Sequence, residues 1–125
     1  MSKVKDCPSP GQFGWNELVT TNVAAAGKFY TRLLDWKTQP FGKGADYTLF
    51  LKGKDMVGGL MKGPQPGNSA QWIAYVIVKN VKATAKKAIK LHGKVVIEPF
   101  DVPDVGRIAV LVDPQGAAIG IFEPA

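Results

Sequence analysis

The sequence predicts an α+β domain of two tandem βαβββ modules, whose curled mixed sheets surround a shared cleft. The chain has 125 residues, of which 46% are hydrophobic and 21% charged, and this suits one globular domain with a real core. An Asn-Val pair occurs twice, at Asn22 and at Asn80, and each pair opens an Ala-rich segment. Because an internal repeat decides the architecture before any single residue does, we expect two copies of one unit.

The repeat continues beyond these two segments. Gln39–Phe41 matches Glu98–Phe100, and the stretch Tyr47–Gly63 matches Ile108–Pro124. The spacing between matching positions grows slightly along the chain, as short insertions in loops would cause. Both halves therefore have the element order βαβββ.

The first module spans residues 13–63. Alternating polar and apolar residues predict its first strand, and Asn22 is the expected N-cap of a helix that carries Ala26, Phe29 and Leu33 on one face. Short strands separated by Gly and Pro turns follow. The predicted elements are a strand over Phe13–Thr20, a helix over Val23–Leu34, and strands near Lys37–Pro40, Tyr47–Lys52 and Met56–Met61.

The second module spans residues 70–125 and repeats this order. Asp113–Gly116 has Pro at its second position, which is typical of a type I turn. A flexible leader over residues 1–12 and a linker over residues 63–69 complete the predicted organisation. The predicted elements are a strand over Trp72–Val78, a helix over Val81–Leu91, and strands near Val95–Glu98, Arg107–Val112 and Ala117–Phe122.

Composition excludes several classes of protein. The one cysteine, Cys7, cannot form an intramolecular disulfide or a cysteine metal cluster. No apolar run approaches the roughly 18 residues of a membrane span, so we expect a cytoplasmic protein with no membrane partner. The net charge is +6, but the lysines between Lys79 and Lys94 accompany no nucleic-acid motif. They favour a solvated helix face and no nucleic-acid partner.

Five short segments carry a resemblance to a known family. They are Trp15–Asn22, Phe29–Tyr30, Leu34–Trp36, Val102–Arg107 and Asp113–Ala117. Their order and spacing resemble those of the vicinal oxygen chelate superfamily of glyoxalases, bleomycin resistance proteins and extradiol dioxygenases, in its short two-module branch. The resemblance implies a divalent metal held by side chains from the first and last strand of each module. Such a site needs His, Glu or Gln, with open positions for substrate.

The resemblance also implies where these ligands should lie. Each first-strand ligand precedes the helix cap by seven residues, and the last-strand ligand follows the Asp of the Asp-Pro-x-Gly turn by seven. In this chain the positions hold Trp15, Ile73 and Gly120, with Gly59 as the repeat mate of Gly120. None of these side chains binds a metal, so we expect neither a metal nor another cofactor.

Strand side chains alternate between the two faces of a sheet, so the vacant positions define one face. We expect this face to form an apolar ligand pocket. Arg107 and Lys62, beside the cleft, are candidates for attracting an anion, although single surface cations are usually solvated. The predicted ligand-binding residues, besides Arg107, are Trp15, Val57, Gly59, Met61, Ile73, Ile77, Ala118, Gly120 and Phe122.

The glycines of this face allow two interpretations. Gly59 and Gly120 leave room either for a flat ligand or for Trp15 to fold over the sheet and fill the space of the metal. Two polar residues, Glu17 and Tyr75, share the face, and we expect them to approach each other. Glu17 is then a candidate general base, with Tyr75 orienting a substrate oxygen. Alternatively, Glu17 only accepts hydrogen bonds from Tyr75 or from backbone.

Three functions stay open at this point. The first is a metal-independent protein that holds a small neutral or anionic ligand in an apolar cleft. The second is a glyoxalase-like lyase or isomerase, with Glu17 as general base and Tyr75 polarising a carbonyl. The third is a structural or dimeric interaction module whose cleft is filled by its own side chains. The expected partners are a small molecule and, as one option, a second copy of the chain.

Overall fold

The computed structural model describes residues 8–41, 47–63 and 70–125. Within these residues it contains two helices and eight strands in the predicted order, which confirms the α+β class. Contacts divide the chain into two compact units. The first unit is the described part of Trp15–Ile73, and the second is the described part of Met1–Gly14 with Ala74–Ala125.

The units follow the predicted modules except at their borders. Gln71–Ile73 belongs to the first unit, although the sequence analysis placed it in the second module. Trp72 explains this, because its Nε1 donates a hydrogen bond of 3.0 Å to the hydroxyl of Tyr30. The two rings also meet edge to face, with their centroids 5.2 Å apart.

The segment before the first strand belongs to the second unit. The amide of Gly11 donates to the carbonyl of Ile77, and the amide of Ile77 donates to the carbonyl of Gln12, both at 2.8 Å. These bonds tie the end of the predicted leader to a strand of the second unit. Residues 1–7, including Cys7, and residues 64–69, most of the predicted linker, lie outside the described residues.

Four strands and one helix build the first unit. They are β1 (Phe13–Thr20), α1 (Val23–Leu34), β2 (Lys37–Pro40), β3 (Tyr47–Lys52) and β4 (Asp55–Lys62). The strand order is β2-β3-β4-β1, in which β1 and β4 are parallel and the other pairs antiparallel. The register of β3 on β4 shifts between Phe50 and Leu51, which changes the alternation of faces at that point.

Helix α1 begins as predicted, because the side chain of Asn22 accepts a hydrogen bond from the amide of Ala25 at 3.0 Å. Phe29 and Leu33, two of the three residues of the predicted apolar face, are 57% and 60% exposed. The helix is rotated so that Tyr30, rather than Phe29, faces the sheet. The residues of the segment that pack against buried Leu18, Phe50 and Leu60 are Val23, Ala26, Tyr30 and Trp36.

The second unit repeats the arrangement. Its elements are β5 (Gln71–Ile77), of which Gln71–Ile73 belongs to the first unit, α2 (Val81–Lys90), β6 (Lys94–Val102), β7 (Gly106–Val112) and β8 (Ala118–Pro124). The strand order is β5-β8-β7-β6, with β5 and β8 parallel and the other pairs antiparallel. Strand β6 is longer than predicted and has two register shifts on β7. The buried core cluster of the second unit consists of Val81, Ala85, Ala109, Leu111 and Ile121.

Helix α2 has two acceptors at its first turn. The side chain of Asn80 accepts from the amide of Ala83 at 2.9 Å, and the carboxylate of Glu123 accepts from the amide of Val81 at 2.9 Å. Its four lysines are exposed, as predicted for a solvated face. Among the described residues, no helix has the length and apolar character that crossing a membrane requires.

Candidate functional site

In the first unit, the side chains of Trp15, Glu17 and Tyr47 meet near Gly59. Glu17 of β1 and Gly59 of β4 are paired in register. Tyr47 enters from β3, where it pairs with Met61, so its side chain crosses diagonally towards Gly59. The end of the Tyr47 ring occupies the position that a Cβ atom at residue 59 would take. Only glycine leaves this space.

A chain of hydrogen bonds passes through the Tyr47 hydroxyl. The indole Nε1 of Trp15 donates to this hydroxyl at 2.8 Å. The hydroxyl in turn donates to the carboxylate of Glu17, whose residue is only 1% exposed. The buried carboxylate therefore has a phenolic donor, as buried polar groups require.

The same surroundings hold Tyr47 in its neutral form. Burial raises the pKa of the Tyr47 phenol far above its ordinary value of 10.0, and the charge of Glu17 raises this pKa further. The hydrogen bond from Trp15 acts in the opposite direction, because it favours the phenolate. Burial is the larger effect, so Tyr47 is a neutral hydrogen-bond donor at neutral pH.

The second unit has a related arrangement at Gly120. Tyr75 of β5 and Gly120 of β8 are paired in register. The ring of Tyr75 lies over this glycine, so that a Cβ atom at residue 120 would meet the base of the ring. Tyr75 is fully buried. The glycines of both units thus accommodate tyrosine rings.

Of the two interpretations of Gly59 and Gly120, the one in which an aromatic side chain fills the space beside the glycine describes both units. Trp15, however, is not the residue that fills the space, since Tyr47 and Tyr75 do so. Sequence reasoning did not select Tyr47. The sequence did contain one signal for this contact, because Tyr47 is an aromatic residue on the strand next to the one that carries Gly59. The register that brings them together cannot be read from either strand alone.

The predicted ligand-binding residues differ widely in accessibility. Ile73 and Ile77 are buried, as are Gly59 and Gly120, so they form walls beneath the surface. The members of the predicted face that retain partial exposure are Trp15, Met61, Ala118 and Phe122. Whether Glu17 and Tyr75 approach each other stays a prediction, as does the cleft shared by the modules.

Val57 lies on a different face from the one predicted. Strict alternation from Gly59 placed it with the pocket residues, but it packs against the cluster of Leu18, Phe50 and Leu60 beneath α1. The register shift at Phe50 and Leu51 is the physical reason, because a bulge changes the alternation of side chains.

Arg107 also lies elsewhere. Along β7 it shares a face with Ala109 and Leu111, which pack beneath α2. Its Nε donates to the carboxylate of Asp101 at 2.7 Å, and this pairing lowers the pKa of Asp101. Arg107 is therefore a paired cation on the helix side rather than a residue of the predicted pocket face. Lys62 is exposed at the end of β4.

A cleft that sequence reasoning missed lies beside this ion pair in the second unit. Its volume is about 320 Å³, and its lining includes the charged side chains of Asp101, Asp104, Arg107 and Glu123. Arg107 and Asp101 bind each other, and Glu123 accepts from the amide of Val81. Three of the four charged side chains are thus engaged within the protein.

The residues at the implied metal positions do not fit a metal. In the first unit, Trp15 presents an indole that donates to Tyr47, and Gly59 is covered by the Tyr47 ring. In the second unit, the ring of Tyr75 covers Gly120. In the described part of the chain, no group of three His, Cys, Asp or Glu side chains is arranged to hold a metal ion.

Two βαβββ units, each with its first and last strands parallel, define the class to which this fold belongs. A sequence profile of the Glyoxalase/Bleomycin resistance protein/Dioxygenase superfamily matches residues 12–121. The chain belongs to this family, which confirms the resemblance found in the sequence.

Two curated relatives are similar to nearly the whole of this chain. The chain is 40% identical over 117 residues to the Mycobacterium tuberculosis protein named "Putative glyoxylase CFP32", covering 92% of this chain and 45% of that protein. It is 32% identical over 130 residues to the anthracycline biosynthesis protein DnrV of Streptomyces peucetius, covering 91% and 47%. The chain spans about half the length of these relatives.

A solved structure extends the likeness at the level of the fold. The homoprotocatechuate 2,3-dioxygenase of Brevibacterium fuscum, solved as a substrate complex, superposes with a TM-score of 0.60 at 19% identity. The match covers 96% of this chain and 39% of that one. At this identity the likeness concerns the fold alone.

Proposed function

We propose that this protein is a metal-independent member of its family that binds a small neutral or anionic molecule. The observation that carries the proposal is the position of Tyr47, whose ring stands at Gly59 beside Trp15. A metal ligand at residue 59 would collide with this ring. The phenol and the indole provide instead an aromatic, hydrogen-bonding surface of the kind that ligand sites use.

The partly exposed residues of the pocket face support a ligand of modest polarity. Trp15 and Met61 are apolar and half-buried, and Glu17 behind them already accepts from Tyr47. A cationic ligand is disfavoured, because the net charge is +6. The relatives named for glyoxylase and for anthracycline biosynthesis are consistent with a small organic molecule.

A second candidate is a glyoxalase-like lyase or isomerase. The contact between the Tyr47 hydroxyl and the Glu17 carboxylate favours it, because a base and a proton donor then stand side by side. In that function Glu17 removes a proton next to a carbonyl of the substrate. The burial of Glu17 requires the site to open before substrate reaches it.

The test begins with the metal content of protein purified without added metal. Ligands are then identified by native mass spectrometry of the purified protein, and their affinity is measured with and without a chelator. We expect a Kd that the chelator leaves unchanged and that Trp15→Ala weakens at least tenfold, or about 1.4 kcal/mol. The matched control is Phe100→Ala, an exposed aromatic residue of β6, which should leave the Kd unchanged.

One tightly held metal ion per chain would refute metal independence. Turnover of a bound carbonyl compound that disappears in Glu17→Gln, with binding retained, would establish the enzyme instead. If no small molecule binds in either measurement, the chain is an interaction module with a filled cleft.

A further inference from the structure

The hydroxyl of Tyr47 lies between two groups with opposite hydrogen-bonding requirements. On one side the indole Nε1 of Trp15, which can only donate, is 2.8 Å away. On the other side is the buried carboxylate of Glu17, which can only accept. An atom between them must therefore accept one hydrogen bond and donate another. A neutral hydroxyl does both, whereas a carbonyl, ether or carboxylate oxygen only accepts and an ammonium group only donates.

The backbone of Tyr47 is anchored in the sheet, whereas its ring contacts Gly59 only with the far end. The carbonyl of Tyr47 accepts from the amide of Phe41 at 3.0 Å, and the residue pairs with Met61. Tyr47 is the first residue of β3 and is half-buried, so its side chain borders solvent. Rotation about χ1 moves the end of the ring without moving the strand. The space that opens beside Gly59 then keeps both hydrogen-bonding partners.

We infer that a neutral hydroxyl group of the ligand displaces the Tyr47 ring and takes over its hydrogen bonds to Trp15 and Glu17. The inference rests on the proposed function, because it concerns the same pocket face, and it narrows the ligand to a neutral, phenol-like molecule. The Tyr47 side chain itself fills the space, so the vacated space has the shape of a phenol ring. Tyr47 thus closes the empty site with a copy of the group that the ligand presents.

The two partners of the hydroxyl also determine what the site rejects. A ligand without a hydroxyl leaves the indole of Trp15 without its acceptor and the carboxylate of Glu17 with one donor fewer, and unpaired buried polar groups are costly. A ligand carboxylate meets the like charge of Glu17, which opposes binding. Sites built to bond a hydroxyl reject the analogue that lacks it strongly. We therefore expect selection for a hydroxyl over both a hydrogen atom and a carboxylate.

Tyr30 provides a comparison within the same unit. Its hydroxyl also accepts from an indole, that of Trp72, at 3.0 Å, but this hydrogen bond is exposed. The Tyr30 ring packs beneath α1 against buried Phe50, with the ring centroids 5.9 Å apart. Tyr30 therefore has the indole donor without the buried surroundings of Tyr47, and it is the matched control.

The test compares three probes by NMR titration of the full chain. They are p-cresol, which is the free form of the tyrosine side chain, toluene, which lacks the hydroxyl, and p-toluate, which carries a carboxylate instead. Tyr47→Ala opens the space, and it should bind p-cresol at least about tenfold more tightly than either other probe. Tyr30→Ala should bind p-cresol no more tightly than the wild type does.

The wild type and Tyr47→Phe test the displacement itself, and they do so even if Tyr47→Ala fails to fold. Tyr47→Phe should bind p-cresol about tenfold more tightly than the wild type, because the phenylalanine ring leaves without giving up hydrogen bonds. In both proteins, bound p-cresol should give a nuclear Overhauser effect to the indole N–H proton of Trp15. The same preference for p-cresol over toluene should hold in Tyr47→Phe.

Two results would overturn the inference and leave a metal-independent pocket in place. One is an equal affinity of the Tyr47 variants for p-cresol and toluene, and the other is an equal affinity of the wild type and Tyr47→Phe for p-cresol. A failure of every one of these proteins to bind p-cresol would overturn it as well. One tightly held metal ion per chain would instead refute the proposed function, without removing a measured preference for the hydroxyl.

Discussion

The two units place a tyrosine over a glycine in different ways. In the first unit, Tyr47 is diagonal to Gly59, so only the far end of its ring reaches the glycine. In the second, Tyr75 is directly opposite Gly120, and the base of its ring covers the glycine. A small rotation displaces the far end of a side chain more than the ring atoms near its Cβ. The same residue pair is therefore adaptable in one unit and rigid in the other.

The largest expected effect is that of a methyl group at residue 120. Gly120→Ala should lower the free energy of unfolding by about 3 kcal/mol, the upper part of the range for overpacking a core. Gly59→Ala should cost less, about 2 kcal/mol, since the end of the Tyr47 ring can shift but its hydroxyl then loses its bonds to Trp15 and Glu17. Urea denaturation measures both values. Equal losses at the two glycines would show that the register does not matter.

Loss of the Tyr47 hydroxyl has the next largest effect. Tyr47→Phe should cost about 2 kcal/mol, because Trp15 loses an acceptor and the buried carboxylate of Glu17 loses a donor. The comparison variant is Tyr30→Phe, whose hydroxyl accepts from Trp72 at an exposed position, and it should cost about 0.5 kcal/mol. Urea denaturation distinguishes the two. If Tyr30→Phe costs as much as Tyr47→Phe, the burial of the hydrogen bonds of Tyr47 adds nothing to the free energy of unfolding.

Stability at alkaline pH should depend on Tyr47 through its raised pKa. Above about pH 10 the phenol ionises in the unfolded chain but not in the folded one, so the unfolded state binds fewer protons. The stabilisation is complete below this pH and decreases above it, by about 1.4 kcal/mol per pH unit. Tyr47→Phe removes this contribution. The measurement is the free energy of unfolding of the wild type and of Tyr47→Phe as a function of pH. Two curves that stay parallel through pH 11 would contradict the raised pKa.

The smallest expected effects concern the helix caps of the two units. Asn22→Ala should cost about 1 kcal/mol, because its side chain is the acceptor for the amide of Ala25. Asn80→Ala should cost about 0.5 kcal/mol, since Glu123 still accepts from Val81 at the same helix end. Thermal unfolding compares the variants. Adding Glu123→Ala to Asn80→Ala, which removes the second acceptor, should bring the loss to that of Asn22→Ala or beyond.

Much of the fold could be predicted from local sequence. The bounds of β1 and α1 match the prediction because alternation and an Asn cap are signals within a few residues. Strand β6 is longer than predicted, since its later part is defined by pairing with β7 and not by its own pattern. Phe29 was expected on the same face as Ala26, but the rotation of α1 depends on how it packs against the sheet.

The candidate site could be predicted only in part. The vacancy of the metal positions follows from residue identity at Trp15 and Gly59, because neither side chain binds a metal. The role of Tyr47 could not be predicted, because it depends on how β3 and β4 are registered. The face of Val57 could not be predicted for a related reason, since a bulge interrupts the alternation from which this face was inferred.

Four features follow from the sequence alone: the repeat, the order of the elements, the family resemblance and the side chains at the four implied metal positions, none of which binds a metal. All of these depend on residue identity and on short-range periodicity. Three others are visible only in the folded chain: which tyrosine covers each glycine, the pairing of Arg107 with Asp101, and the exposure of Phe29 and Leu33 on α1. These features depend on strand register and helix rotation, which are set by contacts between residues far apart in the chain.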